Sequence, residues 1–181
     1  MDNRLTCCDA PPMTRPDLPD LPDLLASVAL TARLGPVHVD ASWDGITAAL
    51  GEPRDVLPMR RRGPRWPRLF GYGDLEVFVC RCREVRMMSV RTWTDTVDLP
   101  GHTGTFPGEP THAEIVAALD RAACPWELDV GLTFRDQRTL RIPSTSAAFT
   151  FVVPEAGEPT LHALGLPDNG HTCPEPIRPA P

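Results

Sequence analysis

Lysine is absent from this chain, and all 18 basic residues are arginine. Coding bias in a GC-rich genome accounts for that absence, so by itself it carries no functional reading. Positive charge is also in deficit: 24 Asp and Glu leave a formal net charge of −6, which excludes global attraction to nucleic acid or to an anionic membrane surface. No segment approaches the ~18 consecutive apolar residues needed to cross a bilayer. A secretory segment is not expected either. The best apolar run, Leu24 to Ala32, is preceded by the acidic repeat Asp17-Leu18-Pro19-Asp20-Leu21-Pro22-Asp23, where such a segment carries positive charge. These absences describe a soluble, cytoplasmic protein. Six cysteines among 181 residues are too few for a dense disulfide framework and are read as free thiols in a reducing compartment.

Motifs of catalysis and cofactor binding are missing as well. There is no G-x-S-x-G nucleophile elbow and no H-E-x-x-H, and His38, His102, His112, His162 and His171 are scattered along the chain, reading as surface or structural histidines. Gly71-Tyr72-Gly73 lacks a third glycine and is followed by a strand pattern instead of a helix start. His102-Thr103-Gly104 has no lysine after it, so neither is a phosphate cradle. Cys80 and Cys82 lie two apart at a strand end, where both thiols face one way, as the start of a metal or redox site requires. The remaining cysteines form no second spaced pair beyond the adjacent Cys7-Cys8, so Cys80 and Cys124 are read as buried apolar side chains. The expectation is no catalytic set, no metal and no cofactor.

What the chain has in excess is proline, 22 residues against the usual ~5%. The prolines gather in residues 1–20 and 167–181, which are read as flexible or extended ends. Between them a pattern recurs. Ser42-Trp43-Asp44-Gly45-Ile46-Thr47-Ala48-Ala49-Leu50 returns sixty-nine positions on as Thr111-His112-Ala113-Glu114-Ile115-Val116-Ala117-Ala118-Leu119, with a hydroxyl first and Ile, Ala, Ala, Leu in register. An internal duplication is the reading. Each copy begins with a helix-capping hydroxyl, Thr111 and Glu114 in capping-box spacing, and each is followed by strand-like segments.

Leu21 to Leu34 has helical spacing and is ended by Gly35-Pro36. After the first repeat helix, closed by Gly51-Glu52-Pro53, residues 54–68 read as a loop. Leu69 to Tyr72 and Leu75 to Cys80 form a hairpin about Gly73-Asp74, and Glu84 to Thr92 is a third strand. Residues 95–110 are the natural linker. After the second helix, strands are expected at Trp126 to Leu132, Arg138 to Ile142, Ala148 to Val153 and Thr160 to Leu164. The fold class is α+β, as two tandem helix-then-antiparallel-sheet units over 21–94 and 111–166.

Ile46 to Leu50, Gly51-Glu52-Pro53, and Tyr72-Gly73-Asp74-Leu75-Glu76-Val77 followed by Val85 to Val90 resemble a helix-plus-hairpin module of short uncharacterised bacterial proteins. More distantly the order is similar to the small outer-membrane-assembly lipoprotein module and to the tandem arrangement of the beta-lactamase inhibitory protein. The glycine-methionine that precedes such a helix is replaced here by Val39-Asp40-Ala41, and no lipoprotein signal is present, so membrane anchoring is not carried over. The resemblance implies a module that works by binding other proteins.

Six of the 18 arginines, Arg54, Arg60, Arg61, Arg62, Arg65 and Arg68, fall within fifteen residues, with Trp66 among them. Arginine beside an aromatic suits an interface anchor, and Arg60, Arg61, Arg62, Arg65, Trp66 and Arg68 are the expected partner-binding residues. The partner expected is a protein with an acidic surface. The functional expectation is a non-enzymatic protein-binding module, an immunity- or antitoxin-like inhibitor; the alternative is a small enzyme or ligand-binding protein with its site between the two units.

Overall fold

The computed structural model describes residues 19–57, 67–168 and 170–173. Helix α1 spans Leu21–Thr31; Asp20 caps it by accepting from the Asp23 N–H at 2.9 Å, Pro22 opens it, and Ala32 ends it in the left-handed region. The helix therefore stops before Gly35-Pro36, which turn a small hairpin between β1 (Arg33–Leu34) and β2 (Val37–His38). Helix α2, Trp43–Leu50, starts on the Ser42 hydroxyl.

Three strands of the first half follow the expected order: β4 (Arg68–Tyr72), β5 (Leu75–Val79) and β6 (Val85–Arg91). A further short strand, β3 (Asp55–Leu57), pairs with β4 inside the stretch read as a loop. Gly73 turns the β4–β5 hairpin at φ +64°, and a Cβ there would lie 2.5 Å from the Asp98 carbonyl oxygen, so the position requires glycine. Residues 95–110 carry a two-stranded ribbon, β7 (Thr96–Val97) with β8 (Phe106–Pro107), whose Val97 and neighbouring Leu99 are buried in the core.

Helix α3, His112–Arg121, has the full capping box: Thr111 Oγ1 accepts from the Glu114 N–H, and the Glu114 carboxylate accepts from the Thr111 N–H. Next come β9 (Glu127–Leu128), β10 (Gln137–Arg141), β11 (Ala148–Val152) and β12 (Thr160–Leu166). Trp126 to Leu132 is not one strand. The Asp129 carboxylate accepts from the Leu132 N–H at 3.1 Å, and this side-chain turn draws Val130–Leu132 into a single 3₁₀ turn after two residues of ladder.

Eight of these strands make one antiparallel sheet in the order β3-β4-β5-β6-β12-β11-β10-β9. The sheet is continuous across both halves through the β6–β12 ladder, and each half reads outward from that joint in the same order. Two further features match between halves. The capping residues Ser42 and Thr111 each form an isolated bridge, to Glu84 and Thr160 respectively. Two residues after each bridged position sits the extra residue of a β-bulge, Arg86 in β6 and His162 in β12.

Alternation places Phe70, Leu75, Val77, Val90, Phe149 and Leu164 on one face, where they share a core with Leu25, Ile46 and Ile115 of the three helices. Trp43 stacks on Phe70 with ring centroids 3.9 Å apart, and the Tyr72 hydroxyl donates to the carbonyl of Gly51, tying α2 to the sheet at both ends. Leu69, Glu76, Phe78, Ser89 and Ala148 occupy the opposite face and are half-buried. Among the described residues no helix is long and apolar enough to cross a membrane.

Candidate metal centre

The β5–β6 connection is a tight turn: the Arg83 N–H donates to the Cys80 carbonyl and the Cys80 N–H to the Glu84 carbonyl, both at 3.0 Å, with Arg83 in the left-handed region at φ 63°. A turn of this kind, closed by a left-handed residue, points the side chains of Cys80 and Cys82 into one space. The two thiols converge because the chain bends between them; strand alternation plays no part, since β5 ends at Val79.

The other half of the cluster comes from beyond β12. Asp168 folds the following segment by accepting from the backbone N–H groups of Gly170 and His171 at 3.0 and 3.1 Å. Arg86 anchors that carboxylate. As the extra residue of its bulge, Arg86 is buried to 4% exposure and its guanidinium reaches both Asp168 and Asp40, with Glu84 at 3.7 Å. The hydrogen bond from Arg86 comes first among the influences that hold the Asp168 carboxyl down at about 2.

So positioned, His171 Nε2 lies 3.7 Å from Cys80 Sγ, 3.5 Å from Cys82 Sγ and 3.3 Å from Cys173 Sγ. All four donor atoms fall within 4.8 Å of one another, and the cysteines are free. The other ring nitrogen, Nδ1, faces the Glu84 carboxylate at 3.7 Å, and Arg81 donates to the carbonyl of Cys173 at 3.0 Å. Cys80 is buried, and the other three members are half-buried. Crowding separates the thiols' acidities. Loss of solvent and then hydrogen bonds with Cys173 and Cys80 push Cys82 up to about 11, whereas Cys173, despite burial that raises it, is held at about 7 by hydrogen bonds from Cys82 and His171.

Comparison with family models, with curated proteins and with solved structures finds no match for this chain.

Cys80, read from sequence as a buried apolar thiol with no metal expected, instead shares a cluster with Cys82, with His171, read as a surface or structural histidine, and with Cys173. The signal was there: His171-Thr172-Cys173 repeats the one-residue spacing of Cys80-Arg81-Cys82, but it lies among the prolines of 167–181. Cys124, the other cysteine read as apolar, is buried under α3 and its thiol is pushed up by burial. Of the expected partner-binding residues, Arg68 lies half-buried in β4, and Arg60, Arg61, Arg62, Arg65 and Trp66 lie outside the described residues.

A cleft of about 520 Å³ opens between the start of α1, the segment after β8, and α3. Three of the charged side chains that line it are already engaged: Asp20 caps α1, Glu114 closes the α3 capping box, and Arg121 pairs with Asp23. They do not form a convergent set aimed at a ligand.

A different surface stands out at the sheet edge. Trp126, Leu128, Val130, Leu132 and Phe134 are 37%, 47%, 79%, 47% and 60% exposed, five large apolar side chains on alternate positions around β9.

Proposed function

We infer that this protein is a non-enzymatic protein-binding module, of which an immunity- or antitoxin-like inhibitor acting in the cytoplasm is the most concrete form. The observation that carries the reading is the exposure of Trp126, Leu128, Val130, Leu132 and Phe134 in and after the β9 edge. Folded chains seldom leave five large apolar side chains within nine residues this exposed unless a partner covers them, and an edge strand of two residues offers unpaired backbone beside them. The engaged polar groups of the cleft favour this reading over an enzyme or ligand-binding site between the halves.

The matched bridges, bulges and strand order support descent of the two halves from one duplicated unit. They also fit the resemblance to tandem inhibitory modules. The arginine segment around Arg60, Arg61 and Arg62 contributes contacts to an acidic surface on the same partner.

The test is affinity purification from the source organism with three baits: the wild type, a Val130→Asp/Phe134→Asp variant, and a variant with Arg60, Arg61 and Arg62 changed to Ala. A near-stoichiometric partner is expected with the wild type, absent with the Asp variant and diminished with the Ala variant. Val130 and Phe134 are exposed, so the Asp variant's stability should stay within about 0.5 kcal/mol of wild type. Recovery of no stoichiometric partner by any bait overturns the reading; equal recovery by all three removes both surfaces from it.

A further inference from the structure

We propose that Cys80, Cys82, His171 and Cys173 bind one zinc(II) ion in a closed, tetrahedral Cys₃His site that fastens the segment after β12 to the β5–β6 turn.

Geometry carries the assignment. With Zn–S near 2.3 Å and Zn–N near 2.0–2.1 Å, the edge of a tetrahedron joining a sulfur to a nitrogen is about 3.6 Å. The three sulfur-to-nitrogen separations are 3.7, 3.5 and 3.3 Å, all within 0.3 Å of that edge. Four soft or borderline donors that nearly touch one another enclose the volume of a single ion. A cluster with bridging sulfides needs a wider cage, and a disulfide would use two of the sulfurs and strand the third beside the imidazole. Thiolate with imidazole in a tetrahedral set selects zinc among the common divalent ions.

The surroundings fit the same ion. Binding through Nε2 requires the neutral ring with its proton on Nδ1, and Glu84 stands on the Nδ1 side, where a carboxylate orients a metal-bound histidine. Each coordinated thiol gives up its proton to solvent, so zinc with three thiolates and a neutral imidazole carries one net negative charge. Arg81, whose guanidinium reaches the carbonyl of Cys173, supplies positive charge beside that anion, while Arg86 holds Asp168 and through it the His171 backbone. All four coordination positions belong to the protein, which makes the site structural and leaves no place for substrate. Its ligands come from the two sides of the β6–β12 joint, with Cys80 and His171 lying 91 positions apart.

The experiment uses the untagged full chain, purified under reducing conditions, with metal content measured by inductively coupled plasma mass spectrometry and coordination by cobalt(II) substitution. The expected result is one zinc per chain. Cobalt should give an intense thiolate-to-metal charge-transfer band with the strong visible bands of a tetrahedral ion. Cys82→Ser and Cys173→Ser should each weaken zinc binding by at least about tenfold against a chromogenic chelator. Cys124→Ser and the double variant Cys7→Ser/Cys8→Ser should bind as wild type does. Should the serine variants fail to fold, Cys173→His decides: it keeps one tetrahedral cobalt with a charge-transfer band reduced as the thiolates go from three to two. Absence of stoichiometric zinc and of the cobalt band would overturn the proposal. So would unchanged affinity in Cys173→Ser, an unchanged band in Cys173→His, or loss of the metal in the Cys7/Cys8 variant.

Discussion

His112 sits at the first position of α3 with its ring edge-on to Phe151, centroids 5.0 Å apart. Burial, and next the charge of Arg138, lower its pKa below the ordinary 6.5, against a smaller opposing pull from Glu158. The folded state thus binds this proton less readily than the unfolded chain, so stability is complete above about pH 6.5 and falls as the pH drops toward the folded value. Urea midpoints at pH 8, 6 and 5 should decline more steeply for the wild type than for His112→Gln; parallel declines would show that His112 does not contribute. Asp168 acts at the same scale. It joins the buried guanidinium of Arg86 to two backbone N–H groups, yet its own side chain is 35% exposed, so solvent screens part of the interaction. Asp168→Ala should cost about 1 kcal/mol in a denaturation experiment. It should also lower zinc affinity, because the His171 backbone loses its acceptor.

Elements were readable from the sequence where one short-range rule decided them. The Thr111–Glu114 box fixed the start of α3, and Thr111→Ala should lower stability by about 1 kcal/mol, measured as a shift of the urea midpoint at unchanged slope. The Gly73-Asp74 hairpin and the alternation of Leu75, Val77 and Val79 were equally plain. Elements that depend on a partner were not. Asp55–Leu57 becomes a strand because β4 lies beside it, and its own sequence has no period to announce that. Trp126 to Leu132 alternates as a strand does, but the Asp129 side chain captures the backbone first. The metal cluster shows the same division. Cys80 and Cys82 were visible as a pair. His171 and Cys173 stand 89 or more positions away, and only the β6–β12 pairing and the hold of Arg86 on Asp168 bring them across. No periodicity encodes that distance, and the prolines around it point toward an extended end.

At the scale of the whole molecule, a metal bound by these four side chains closes a loop of about ninety residues, which in the chain-entropy account removes about 4–5 kcal/mol of freedom from the unfolded state. Stripping the metal with a chelator should therefore lower the free energy of unfolding by up to that amount, and readdition of zinc should restore it; an unchanged unfolding curve would argue against a zinc cross-link between the halves. The strand order has a further consequence for synthesis. β12 is the last strand along the described chain, yet it takes a place at the middle of the sheet, beside β6. Sixty-nine positions separate Arg91, where β6 ends, from Thr160, where β12 begins. On a ribosome adding ~5–20 residues per second, β6 waits about 3–14 s as a bare edge before its neighbour exists. During that interval the nascent first half offers Met87 and an unpaired backbone to any other strand nearby, so the centre of the finished sheet is its most exposed border while the protein is being made.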